Sequence, residues 1–362
     1  MTTAVGTALL DRVATAPISW GVCEVPGWGY QLPVDRVLAE MSAAGFTRTE
    51  LGAWGFLPTD PAELRSKLDG HGLSLLGGFV PLVLHDAERA SQARAEARRW
   101  AELIAGAGGQ FFVTCAVSRA DCWRDAPLDD SQWARLCESL AEIDALVAAY
   151  GLKQAYHSHF DSVVETDAEL ARILDGCDVS LVLDTAHLAL GGTDVLKLLD
   201  RYAHRVGLVH IKDLDPALAA RLGGRANRRA DAPHTGEAVA RAARERSEQE
   251  RETPRPDTRD SHLSADALGA GRLTLMQAVQ RGLFPPLGRG GVPIAEIVAR
   301  LEESGHQLWY VLEQDAAIAE GDLSAVARLR RNADQSLDFL RGLVPAHAGS
   351  GAMHTNHRFP EG

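Results

Sequence analysis

Eight short apolar, β-rich segments punctuate the chain, at 18–25, 46–52, 73–80, 110–117, 153–159, 179–187, 206–213 and 308–315. A helical pattern or a loop follows each one. In 34–45, 62–72, 87–108 and 133–151 apolar residues recur at helical spacing, and glycines close the stretches where a helix needs a C-cap. Strand then helix, eight times over, predicts an α/β fold, a (β/α)8 TIM barrel. A doubly wound open sheet is the rival, but it seldom needs so many regular repeats.

The rhythm breaks between strands seven and eight. Residues 223–272 are dense in Arg, Glu, Asp, Ala and Pro and poor in large apolar side chains. Such a composition cannot bury enough surface to offset its ordering entropy. The expectation is one barrel domain over 1–345, interrupted by a mobile low-complexity insertion at 223–272 and followed by a disordered tail at 346–362. The basic clusters of the insertion read as solvated surface, and the tail histidines His347, His354 and His357 as incidental.

Composition narrows the partners. A chain of 362 residues, 46% hydrophobic and 24% charged, can build a large core. Its net charge of −12 repels a phosphate backbone, which sets nucleic acid aside. The N-terminus lacks a secretory pattern and no run of 18 apolar residues occurs, so neither export nor a membrane span is expected, and the cytoplasm is. Cys23, Cys115, Cys122, Cys137 and Cys177 show neither a C-x-x-C pair nor a zinc spacing, and are expected to be reduced packing residues. The Gly-rich stretch 287–291 lacks the context of a dinucleotide site or a P-loop and reads as a tight loop before a helix at 294–305.

In a parallel barrel the C-terminal strand ends converge on the active-site face. Strand five ends in Tyr156-His157-Ser158-His159, strand six in Asp184-Thr185-Ala186-His187, strand seven in His210-Ile211-Lys212-Asp213 and strand eight in Glu313-Gln314-Asp315. The intervals 157–184 and 184–210 each match one strand-helix repeat, so equivalent positions of adjacent strands are sampled. One such His or Asp alone is more often a helix N-cap or a satisfied loop residue. Four strands in register point instead to a shared metal site, and mixed imidazole and carboxylate suit Mn, Co, Fe or Zn better than Mg or Ca. Glu24 and Glu50, expected at the ends of strands one and two, are candidates for acid–base work or for hydrogen bonds to substrate hydroxyls, with a salt bridge as the competing reading. Trp20 and Trp28 are candidates for an apolar wall under a sugar ring, with core packing as the alternative.

The stretches TELG (49–52), YHSHFDSVVET (156–166), LVLDTAHLALGGTD (181–194), VHIKD (209–213), LGRGGVPI (287–294) and VLEQD (311–315) together resemble the xylose-isomerase-like TIM barrels. That superfamily holds sugar phosphate isomerases and epimerases and the inosose dehydratases of myo-inositol catabolism. The likeness runs from about residue 17 to 343 apart from the insertion, and the strand-five motif looks closest to the dehydratase branch. It implies a divalent metal, Mn or Co before Zn, Fe or Mg, on Asp184, His210 and Glu313. The fourth ligand comes from the end of strand five, His157 before His159.

The epimerase branch has a glutamate at that fourth position, and its two ligand glutamates shuttle a proton. Tyr156-His157 here removes one of them. The resemblance therefore implies a lyase that removes water from a keto-polyol through an enediolate. His187, Lys212, Glu50 and His159 are its acid–base candidates, and Glu24 and Trp20 its substrate contacts. A sugar or sugar phosphate isomerase or epimerase on the same site is the alternative, and a non-catalytic binding barrel a further one. The partner is a small polyol or sugar, and the oligomeric state is left open.

Overall fold

A computed structural model describes residues 9–23, 25, 27–119, 123–222, 272–322 and 324–343. Glu24, Cys122, the insertion over 223–271 and the tail from 344 lie outside the described residues. Eight parallel strands close into a barrel in sequence order. They are β1 Val13–Thr15, β2 Arg48–Glu50, β3 Ser74–Leu82, β4 Phe111–Ala116, β5 Lys153–His157, β6 Ser180–Asp184, β7 Val206–Ile211 and β8 Tyr310–Leu312. The helices are α1 Val34–Ala43, α2 Pro61–Asp69, α3 Ala90–Gly106, α4 Asp130–Ala148, α5 Asp167–Gly176, α6 Thr185–Leu190, α7 Val195–Tyr202, α8 Pro216–Ala219, α9 Leu275–Gln280, α10 Ile294–Glu303 and α11 Ala325–Leu343.

The expected (β/α)8 fold is present, with one strand displaced. Residues 18–25 do not form strand one. Pro17, which has no N–H for a ladder, opens a 3-10 turn over Pro17–Trp20, and Gly21 ends it at φ 80°. The true β1 precedes it and pairs with β8 through Val13 and Tyr310, Ala14 and Val311, and Thr15 and Leu312. Arg12 secures this closure, with Nη1 donating to the Leu308 carbonyl at 2.7 Å and Nη2 to Glu302 Oε2 at 2.5 Å.

Local signals start the helices. The Asp60 side chain accepts from Ala62 N and Glu63 N ahead of α2, and reciprocal capping boxes join Asp129 to Gln132 at α4 and Thr166 to Glu169 at α5. Strand alternation then divides the core in two. Leu76, Val113, Ala155, Val182, Leu208 and Val311 belong to one buried cluster within the barrel, while Leu181, Leu183 and Val209 pack outward with the helices. Each fully buried side chain of this size contributes about 1.5–3 kcal/mol.

Two features depart from the sequence reading. Cys137 on α4 and Cys177 just after α5 form a disulfide, so these two are not reduced packing residues. They stand 40 residues apart and meet because successive helices lie side by side around the barrel, a proximity that no local spacing encodes. The 287–291 loop is built around an internal anion. Gly288 N and Gly290 N donate to Asp213 Oδ2 at 2.9 and 2.8 Å, and Leu214 N and Val292 N to Oδ1 at 2.8 and 3.1 Å. Any Cβ on Gly290 would lie 2.3 Å from Asp213 Oδ1, which is why glycine stands there. Nearby, Leu273 N donates to the Arg221 carbonyl at 2.8 Å, so the chain returns from residues 223–271 beside the point where it left.

Candidate metal centre

The inward parity of the strands builds the site. On β5, β6, β7 and β8 the barrel-interior residues Ala155, Val182, Leu208 and Val311 are each followed two positions later by His157, Asp184, His210 and Glu313. Every second residue faces the same way, so these four side chains crown the inner core at the C-terminal mouth. All four are buried. Donor atoms gather in two overlapping sets, His157 with Asp184 and His210, and Glu50 with His210 and Glu313, each within 4.8 Å.

Asp184 has two roles at once. One oxygen, Oδ1, caps α6 by accepting from Ala186 N at 3.0 Å and His187 N at 2.8 Å. The other, Oδ2, is buried without a hydrogen-bond partner and faces His157 Nε2 at 3.4 Å, Lys212 Nζ at 3.5 Å and His210 Nδ1 at 3.9 Å. Capping by one oxygen thus leaves the other available as a candidate metal ligand.

His210 faces carboxylates on both edges. Its Nε2 lies 3.3 Å from Glu50 Oε1, and its Nδ1 3.3 Å from Glu313 Oε2. A carboxylate only accepts, so each ring nitrogen that carries a hydrogen donates to the carboxylate it faces, Nε2 to Glu50 and Nδ1 to Glu313. With Nδ1 deprotonated, this nitrogen and the oxygens of Asp184 and Glu313 around it form a donor set that could hold a cation. Burial opposes a charged ring, but Glu313 and Glu50 outweigh burial and raise the His210 pKa well above its usual value.

Lys212 completes the polar floor. Its Nζ lies 2.8 Å from Asp315 Oδ1, 3.0 Å from Glu313 Oε2 and 3.3 Å from His187 Nε2. Burial opposes its charge, yet the carboxylates of Asp184, Asp315 and Glu313 raise its pKa well above the ordinary lysine value. The histidines beside it go the other way. Burial, His157 and Lys212 push His159 down to about 3, and burial, His159 and Lys212 depress His187. His159 Nδ1–H donates to the Phe160 carbonyl at 2.7 Å, which fixes the tautomer with a lone pair on Nε2. The His159 and His187 rings lie 3.7 Å apart. Burial raises the Asp315 carboxyl to about 6 despite Lys212.

The sequence pointed to most of this constellation: His157, His159, Asp184, His187, His210, Lys212, Glu313 and Glu50 all converge. Trp20 does not. It is 1% exposed and packs edge-on against Phe46 at 6.2 Å in the core between barrel and helices, so it is not a substrate wall. It is the last residue of the 3-10 turn that replaced the expected strand, and that turn carries the ring outward. Trp28 is also buried, in a cluster with Phe284, and its Nε1 donates to the Ala316 carbonyl at 2.7 Å. Aromatic residues that the sequence reading missed line the site instead. Phe79 lies 5.5 Å from His157, Trp123 lies 4.9 Å from His159 and stacks on Phe79, and Phe284 sits 5.1 Å below Lys212 Nζ. No spacing marks them, because they arrive from one strand and two loops.

With this geometry in place, known proteins can be compared. Residues 38–343 match the profile of a family described as the xylose isomerase-like TIM barrel. The chain belongs to that family. Within the xylose isomerase-like barrels it is similar to an inosose dehydratase of Geobacillus kaustophilus (strain HTA426), 29% identical over 322 residues that cover 85% of this chain and 89% of the relative. It is also 29% identical over 312 residues to the rhizopine catabolism protein MocC of Rhizobium meliloti, covering 84% and 81% of the two chains. Among solved structures, the IolI protein with a binding zinc atom superposes with a TM-score of 0.57 at 14% identity, over 92% of this chain and all of its own (100%). That likeness speaks for the fold. No helix among the described residues is long and apolar enough to cross a membrane.

Proposed function

We propose that the protein is a divalent-metal-dependent dehydratase that removes water from a cyclic keto-polyol, an inosose in the first instance, in the cytoplasm. The observation that carries this reading is the line of contacts from His159 through His187 to Lys212, a neutral base and a charged acid joined on one side of the metal donors. The similarity to inosose dehydratases over most of both chains supports it.

His157, Asp184, His210 and Glu313 would hold the metal, Mn or Co by preference. When bound, it supplies a Lewis acid for the substrate carbonyl and makes the adjacent C–H acidic. His159 takes that proton at Nε2, whose lone pair is set by the Phe160 contact. Lys212 delivers a proton from Nζ to the departing β-hydroxyl. One C–H and one C–O bond break, a C=C bond forms and water leaves. The proton gained by His159 balances the one lost from Lys212, and both groups return to their starting states by exchange with solvent once the product has left. Two-base epimerisation would instead need carboxylates on opposite faces of the substrate, and strand five offers histidines.

The test is mass spectrometry of keto-inositols and ketohexoses incubated in heavy water with the Mn-loaded enzyme, beside Asp184→Ala. Loss of one water by the wild type alone is expected. Deuterium entering a sugar of otherwise unchanged composition would show an isomerase or epimerase instead, and inertness toward every keto-inositol would refute the dehydratase.

A further inference from the structure

Glu50 came from the sequence as a candidate acid or base, but its surroundings describe another task. It ends β2, separated from β7 by β1 and β8, and its carboxylate reaches across the mouth to His210. The β2–β3 register shifts between Thr49 and Glu50, which then pairs with Gly77. A bulge of this kind re-aims the side chain that follows it. Gly77 has no room for a larger residue, since a Cβ there would meet the Phe111 carbonyl oxygen at 2.5 Å. The shift is thus held by a tight backbone contact. Both Glu50 and His210 side chains are 2% exposed, and among the described residues His210 is the one side chain that the Glu50 carboxylate engages.

We propose that Glu50 is a positioning residue for His210: its carboxylate accepts the Nε2–H across the barrel and holds the ring with its Nδ1 lone pair toward Asp184 and Glu313. The inference rests on the metal-site reading above and deepens it. A carboxylate behind a ligand histidine fixes tautomer and orientation and raises ligand basicity, and losing such a partner typically weakens metal binding about 10- to 100-fold. Glu50→Gln preserves shape, removes the charge and turns one oxygen into an N–H donor. Glu50→Asp withdraws the carboxylate by one methylene.

The experiment is titration of purified wild type, Glu50→Gln, Glu50→Asp and Asp184→Ala with Zn2+ against a chromogenic chelator. It is accompanied by the visible spectrum of each protein saturated with Co2+. The expected result is a 10- to 100-fold weaker Zn2+ affinity for both Glu50 variants with the Co2+ bands retained, because the ligand set is intact. Unchanged affinity would return Glu50 to a direct role in proton transfer, and altered Co2+ bands would make it a ligand; either overturns the proposal. A wild type that binds Zn2+ no better than Asp184→Ala would overturn the metal reading, and this inference with it. Should the variants not fold, 15N spectra of histidine-labelled, Zn2+-loaded wild type decide the matter. A protonated Nε2 on His210 supports the assignment, and a protonated Nδ1 refutes it.

Discussion

Asp213→Asn is a sensitive probe of how the active-site strand is held. The carboxylate accepts four backbone N–H groups, two on each oxygen, at 2.8 to 3.1 Å. An asparagine keeps one oxygen for two of them. Whichever way the amide turns, its NH2 faces the other two donors, and the charge is gone. A hydrogen bond to a charged group contributes about 1.5–3 kcal/mol, so losing two predicts a destabilisation of about 3–6 kcal/mol. Urea unfolding followed by far-UV circular dichroism and tryptophan fluorescence measures it, provided the two transitions coincide. Gly290→Ala attacks the same contact from the other side, since its Cβ would lie 2.3 Å from Asp213 Oδ1. The two substitutions should be strongly non-additive. A loss below about 1 kcal/mol for Asp213→Asn, or simple addition in the double variant, would show that the loop holds its shape without the carboxylate.

Four further outcomes are expected. Asp184→Ala should lose both metal binding and about 1 kcal/mol of helix capping, whereas Asp184→Asn, assayed by the same Zn2+ titration and unfolding, should retain most of the cap. Trp20→Ala should cost about 3–5 kcal/mol of stability while leaving KM unchanged, which steady-state kinetics on the folded fraction would check. Opening the 40-residue loop with Cys137→Ser should remove about 4 kcal/mol on the chain-entropy account, and dithiothreitol should produce the same loss in the wild type but none in the variant. His159 is held down to about 3 from an ordinary value of 6.5, so between these limits the unfolded chain binds the extra proton and stability falls as pH falls. The raised His210 acts oppositely, its contribution being complete below its unfolded value and lost as pH rises through the folded one. In metal-free protein at pH 4 to 6.5, His159→Gln should therefore flatten the acid side of the stability profile, and an unchanged profile would exclude His159 as its source.

What was legible in the sequence follows from period and register. Seven strands stood out because each is an apolar run bounded by caps and glycines. The eighth, Val13–Thr15, is too short to show a period and was masked by the longer apolar run after Pro17. The candidate metal donors could be read because each lies two residues beyond an interior apolar residue on its strand, a relation that survives in the linear order. Phe79, Trp123 and Phe284 could not, since closure of the barrel brings them to the site. The contact between Glu50 and His210, 160 residues apart, exists only across the barrel mouth. For Asp184 the cap and ligand readings were visible as competing alternatives, and its two oxygens make the observed cap compatible with the candidate ligand role.

The hydrogen bond from Leu273 N to the Arg221 carbonyl has an evolutionary and practical consequence. Where a chain departs and re-enters within one bond's length, the barrel is indifferent to how much sequence is spliced between, because loop-closure cost grows only slowly with length. The junction is a port. A foreign domain inserted there, or new termini cut there in a circular permutant, should leave all eight strands in register. It also opens beside the apolar cluster of Leu214, Leu273 and Phe284, whose ring lies under Lys212. Lineages that share this barrel could thus try out new appendages beside the chemistry without rebuilding the enzyme.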